Sequence, residues 1–242
     1  MQKPTLFTSL SPALLDLYNL QNAIVVIIDV FRATSTIATA LYNGALRIIP
    51  VDSVEQCIAI GAGLDGCITA GERDGKVIEG LQYGNSPAEY PRDFIEGKTL
   101  VLTTTNGTRL LHMALEKGAD KVITGSFPNL SSVCTYLTRQ NKNVILGCSG
   151  WKNRFNIEDT LFAGAVVNKI KEHFTIHCDS SLMAENMYKL HEDDMMEFIE
   201  KTTHWHRLAA YGLQIDLQYC VSADVANVLP IFIDGDLVAE NG

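Results

Sequence analysis

The chain is short of cations. Its 19 lysines and arginines face 28 acids, for a formal net charge of −9 over 242 residues. Nucleic-acid binding needs clustered Lys and Arg against the phosphates, so this balance argues against a nucleic-acid partner. A few convergent donors can still make a local site for a small anion. Long apolar runs are also missing, so no membrane span is expected. The stretch Met1 to Leu10 has neither the basic region nor the hydrophobic core of a signal peptide, and a cytoplasmic location is the expectation. The six cysteines (Cys57, Cys67, Cys134, Cys148, Cys178 and Cys220) are dispersed, with no CxxC pair. That spacing argues against a zinc knuckle and for reduced thiols. Only seven prolines occur, and no Pro/Gly-rich linker divides the chain. Residues 1–242 are therefore read as a single α/β domain with a sizeable core. The apolar balance, 47% hydrophobic residues, leaves room for a homodimer.

What is present is an alternation of strands and helices. AIVVIIDV, Ala23 to Val30, is a β-branched run of the kind buried on both faces of a parallel sheet. Ala33 to Asn43 reads as a helix with Gly44 behind it, Ala45 to Val51 as a strand, Val54 to Gly61 as a helix and Gly66 to Ala70 as a short strand. Further strands are expected at Lys98 to Leu102, Lys121 to Gly125 and Asn143 to Gly147. The matching helices are Gly107 to Lys117, Leu130 to Arg139 and Ile157 to His173. This alternation predicts a three-layer α/β/α fold with a largely parallel sheet. Residues 180–211 lack a convincing strand and are expected as a helical subdomain or lid. Ile231 to Asp234 and Leu237 to Val238, around Gly235, predict a final hairpin.

Ligands of open α/β sheets bind beyond the carboxyl ends of strands, so polar residues placed there carry weight. Four clusters qualify. In the first, Asp29 ends a strand, and Arg32, Thr34, Ser35 and Thr36 open the next helix. The carboxylate can hold a metal or act as a nucleophile, and Arg32 offers a fork for an oxyanion. A capped helix start with Asp29 in an ion pair would use the same residues. The second cluster is Glu72 and Arg73, followed by a long Gly-rich loop to Asn85, Ser86 and Pro87. Ser86 and Pro87 also suit a plain helix start, as cap and first residue.

The third cluster, Thr103, Thr104, Thr105, Asn106, Gly107, Thr108 and Arg109, joins short hydroxyls, a glycine and an arginine at a helix N-terminus. Such a turn can cradle phosphate, although the Walker A spacing and lysine are absent. The fourth is Cys148, Ser149 and Gly150, with Asn156, Glu158 and Asp159 beyond. Glu158 and Asp159 fit the first turn of a helix for dipole reasons alone, and they also qualify as further carboxylates for Mg²⁺. Cys148 would be a nucleophile only with a stabilised thiolate. His204 and His206 are two apart on a helix and do not share a face, so no metal pair is expected there.

In order along the chain, IIDVFRATSTIATAL, GERDGKVIEGLQYGNSP, LTTTNGTR and GCSGWKNRFNIEDTLFAGA resemble the 2-phosphosulfolactate phosphatase family. HRLAAYGLQIDLQYCVSADVANVLP is a weaker match. The likeness runs from about Ser9 to Asp234; Cys178 to Thr203 carries no family signature, and Phe31 replaces a Leu-type residue. The resemblance implies Mg²⁺-dependent hydrolysis of 2-phospho-3-sulfolactate to 3-sulfolactate and phosphate. On that reading Asp29, Glu72 and one or both of Glu158 and Asp159 hold Mg²⁺. Arg32, Arg109, Asn85, Cys148 and the hydroxyl-rich turns would then surround a small phosphorylated anion. Phe31, two residues after Asp29, rules out the paired aspartates of haloacid-dehalogenase phosphatases. Two alternatives stand beside this expectation. One is a cysteine hydrolase of the isochorismatase type, with Asp29 as base and Cys148 as nucleophile. The other is a non-catalytic protein that binds a small anion.

Overall fold

The computed structural model describes residues 3–73 and 75–240. Among the described residues eleven strands form one mixed sheet. Five are parallel neighbours in one half: β1 (Thr5–Ser9), β2 (Ile24–Ile28), β7 (Lys121–Gly125), β8 (Val144–Cys148) and the short β9 (Thr175–Ile176). In the other half β3 (Arg47–Pro50), β4 (Cys67–Arg73) and β6 (Thr99–Thr103) are parallel, and β5 (Lys76–Val77) folds back on β4. The hairpin of β10 (Pro230–Ile233) and β11 (Asp236–Ala239) lies between the halves, antiparallel to β7 on one side and to β3 on the other. The full order is β5-β4-β6-β3-β11-β10-β7-β2-β8-β1-β9.

The β2 sequence IVVII explains the three layers. Its residues are all buried, and alternate side chains leave opposite faces. Ile24, Val26 and Ile28 join a core with Val133 and Leu137 of α5 (Leu130–Gln140) and Leu161 and Val166 of α6 (Ile157–Ile170). Val25 and Ile27 join a second core with Ile37 and Leu41 of α1 (Ala33–Tyr42) and Leu110 and Leu111 of α4 (Gly107–Glu116). Leu100 and Leu102 of β6 belong to this second core, so both halves of the sheet share it. Burying each such aliphatic side chain contributes about 1.5–3 kcal/mol.

Two strands escape the hydrophobicity pattern. TLFTS is half polar, yet β1 is internal, because Thr8 bonds Ser181 at 2.8 Å and Ser9 donates to the Ser11 carbonyl at 3.0 Å. The two-residue β9 is too short to read from sequence. The expected helical region 180–211 is found as α7 (Asp179–His191), α8 (Met195–Ile199) and α9 (Thr203–Ala209), with α10 (Gln214–Cys220) following. α7 lies close against α6: a Cβ at Gly164 would stand 2.0 Å from the Ala184 carbonyl oxygen. Such an approach makes α7 a fixed layer of the fold. Among the described residues no helix is long and apolar enough to cross a membrane.

Candidate active site

The turn between β2 and α1 is stitched by its own hydroxyls. Thr34 Oγ1 accepts the Asp29 N–H at 3.1 Å, Ser35 donates to the Val30 carbonyl at 2.9 Å, and Thr36 donates to the Asn85 carbonyl at 3.2 Å. These three side chains set the backbone, while Asp29 and Arg32 line a narrow cleft with a cavity volume of about 30 Å³. The Phe31–Arg32 peptide in this turn is cis. Gly107 permits the approach of the neighbouring turn, since a Cβ there would sit 3.0 Å from Asp29 Oδ2.

Glu72 enters the same cleft from the end of β4. Its Oε1 accepts the Thr105 N–H at 3.1 Å and the Thr105 hydroxyl at 2.9 Å, and Oε2 accepts the Gly75 N–H at 2.9 Å. Burial, and then the charge of Glu72, push the Asp29 carboxyl up to about 6 from the ordinary 3.8. Arg32, only 5% exposed, is held by Asp216 of α10 at 2.6 Å, and Asp216 also accepts from Ser86 at 2.8 Å. Asn106 and Asn85 complete this side, and the buried Asn85 Oδ1 has no hydrogen-bond partner among the described residues. Ser86 serves as the expected cap, accepting the Ala88 N–H within a capping box closed by Glu89.

Several expected residues do not join this cleft. Arg109 is exposed on α4 and borders a separate groove with Arg73, Thr104 and Thr108; it reaches Asn153 at 3.3 Å. Thr104 and Thr108 bond one another's backbones, which caps the start of α4. Cys148 is fully buried, and burial, then the charges of Asp159 and Glu158, push its thiol well above the usual range. A thiol in that state is a poor nucleophile.

Asp159 spends both oxygens on structure. It accepts the N–H groups of Val30 at 2.9 Å and Gly150 at 3.0 Å, and the Ser149 hydroxyl at 3.3 Å. Burial, then Glu158 and Asp29, drive its carboxyl well above the ordinary range. Glu158 is likewise buried, with Oε1 on His204. Among the described residues no group of three His, Cys, Asp or Glu side chains is arranged to hold a metal. Mg²⁺, however, is commonly held by one or two carboxylates, with water and phosphate oxygens supplying the rest. Asp29 and Glu72 fit that pattern: both border the cleft, and burial, then the charge of Glu72, raise the Asp29 carboxyl in a way that a bound divalent cation would oppose. Asp159 does not fit it.

Three cleft residues come from α9: His204, Arg207 and Leu208. His204, 8% exposed, places Nδ1 2.5 Å from Glu158 Oε1 and 3.1 Å from the Asn156 amide. Its ring meets Phe31 edge-on, with centroids 5.8 Å apart. Arg207, one turn later, lies over the Trp151 ring at 3.8 Å. The sequence signal for them is the pair His204 and Arg207, three apart and therefore on one helical face. The spacing of His204 and His206 draws attention away from it.

The family model described as 2-phosphosulpholactate phosphatase matches residues 9–235. A "Probable 2-phosphosulfolactate phosphatase" of Thermotoga petrophila is 39% identical over 210 residues, covering 87% of this chain and 89% of that protein. Its namesake from Caldanaerobacter subterraneus subsp. tengcongensis is 37% identical over 214 residues, covering 87% and 88%. Another, from Clostridium acetobutylicum, is 34% identical over 222 residues, covering 90% and 93%. With a family model spanning nearly the whole chain, and Asp29, Arg32 and Glu72 gathered around one cleft, the chain belongs to the 2-phosphosulfolactate phosphatase family.

Proposed function

We propose that the protein hydrolyses 2-phospho-3-sulfolactate, or a closely similar phosphorylated hydroxy acid, to the free hydroxy acid and phosphate, with Mg²⁺ as cofactor. The observation that carries this reading is the buried Asp29 carboxylate facing the same cleft as Glu72, Arg32 and Arg207. Two carboxylates without a cation would repel a phosphate dianion. With Mg²⁺ held by Asp29 and Glu72, the same cleft becomes an anion site. Bound there, Mg²⁺ supplies Lewis-acid neutralisation of phosphoryl oxygens. Arg32, held by Asp216 and by the Gly75 carbonyl, keeps its positive charge fixed at the cleft and needs no reorganisation when charge develops. The side chain of Arg207, stacked on Trp151, brings a second guanidinium to the cleft, which suits a substrate bearing sulfonate and carboxylate besides phosphate. The chemistry needs no membrane, and the cytoplasm suits it.

The test is phosphate release from 2-phosphosulfolactate and a panel of phosphorylated hydroxy acids, with Mg²⁺ and then with EDTA. Release that favours the sulfonate and stops with EDTA supports substrate and metal together. Mg²⁺-dependent release favouring another acid replaces only the substrate. Metal-independent turnover would remove the role of Mg²⁺, and absence of any release would overturn the phosphatase reading.

A further inference from the structure

We infer that His204 is the general acid of the reaction, giving its Nε2 proton to the departing ester oxygen, and that Glu158 is its positioning residue. The inference rests on the phosphatase reading above and adds a residue that the strand-end clusters do not contain.

The geometry starts from Glu158, in the first turn of α6. Its side chain is sealed from solvent; Oε1 meets His204 Nδ1, and Oε2 has no hydrogen-bond partner among the described residues. A carboxylate buried with one oxygen unsatisfied is costly, and apolar residues of similar volume commonly serve stability as well or better. Such an arrangement is typical of a site where a charge is held for chemistry. An ionised carboxylate only accepts, so the Nδ1 proton points at Glu158 and the ring presents Nε2 on its opposite side. Nε2 has no protein partner among the described residues and is not a sealed atom. The ring borders the cleft that holds Asp29, and Phe31 packs against it edge-on. Thr202 caps α9 by accepting the Trp205 N–H at 3.3 Å, fixing the turn that carries His204. Carboxylate, aromatic neighbour and helix cap thus hold the imidazole beside the cleft.

Hydrolysis of an alkyl phosphate needs such a group, because an alkoxide is a poor leaving group. The oxygen of water forms the new bond to phosphorus while the bond to the ester oxygen breaks, its electron pair leaving with that oxygen. The Nε2 proton converts this oxygen to the hydroxyl of the product. One proton of the water stays on the released phosphate, and the other restores Nε2 through solvent. No oxidant or further reactant is needed.

The test compares leaving groups. His204→Asn and Glu158→Gln are assayed on an alkyl substrate, phospholactate, and on p-nitrophenyl phosphate, whose anion departs without a proton. His204→Asn is expected to lower kcat on the alkyl ester by about 10²–10⁴-fold, and on the aryl ester by less than about tenfold. Glu158→Gln should show the same split to a smaller degree. Equal losses on both esters, or none on either, would overturn the assignment while leaving the phosphatase reading intact. Failure of the wild type to release phosphate from any ester would overturn both. A readout independent of turnover is the imidazole ¹⁵N spectrum of the folded wild type. It should show a proton on Nδ1 that shifts in Glu158→Gln, and an Nε2 resonance that moves when inorganic phosphate is added. An unprotonated Nδ1, or an Nε2 indifferent to phosphate, would overturn the inference.

Discussion

Replacing Asp29 by Asn should stabilise the metal-free protein while abolishing its activity. In the folded protein the Asp29 carboxyl is lifted from 3.8 to about 6, by burial first and then by Glu72. The folded state therefore holds that proton more tightly than the unfolded chain does. As pH rises from about 4 to about 6 the metal-free wild type loses stability, and it remains lower at every higher pH. About two pKa units at 1.36 kcal/mol each is roughly 3 kcal/mol at neutral pH. For a chain of this length that corresponds to a melting shift of roughly 6–12 °C. Asn matches the neutral acid in size and carries no charge to bury, so most of the gain should survive.

The assay is thermal unfolding in EDTA between pH 4 and 8, followed by circular dichroism. The advantage of Asp29→Asn should be small at pH 4 and fully developed by pH 7. Adding Mg²⁺ should then raise the wild-type melting temperature and leave the variant nearly unmoved, since ligand binding stabilises only the state that binds it. Equal melting of both proteins at pH 8 in EDTA would refute the reasoning, as would an advantage that does not change with pH.

Other expectations follow from single contacts. Asp216→Ala leaves the buried Arg32 without its carboxylate and should cost about 3–5 kcal/mol in urea unfolding, with a loss of phosphate release besides. Cys148→Ala should keep most activity, because the thiol is sealed in the core; loss of turnover without loss of stability would return the cysteine to the mechanism. Gly164→Ala forces a methyl against the Ala184 carbonyl and should destabilise by about 1–3 kcal/mol or more, with α7 displaced, as read by the same unfolding curves.

Much of the fold was legible because the central strands are buried on both faces. A run such as IVVII admits few other readings, and its flanking polar residues mark the strand end where Asp29 stands. β1 was not legible, since Thr8 and Ser9 are buried by hydrogen bonds rather than by apolar character. The hairpin near Gly235 was foreseeable as a hairpin, whereas its place between the halves depends on contacts with β3 and β7 far earlier in the chain.

The site divides in the same way. Asp29, Arg32 and Glu72 follow from their strand ends. Arg109 misled because a cation near a helix N-terminus suits an anion, yet its position on α4 points it outward. His204, Arg207 and Asp216 lie on short helices with no strand to mark them, and only the tertiary fold brings them to the cleft or to Arg32.

The hairpin of β10 and β11 also has a kinetic meaning. Every other strand of the sheet is synthesised before it, so during translation β3 and β7 each wait with an unpaired edge. Unpaired strand edges of that kind are open to pairing with another strand until residues 230–239 fill the gap. The centre of the sheet is therefore its last part to close. The same seam runs between the Asp29 half and the Glu72 half, whose strand ends carry the two carboxylates of the cleft.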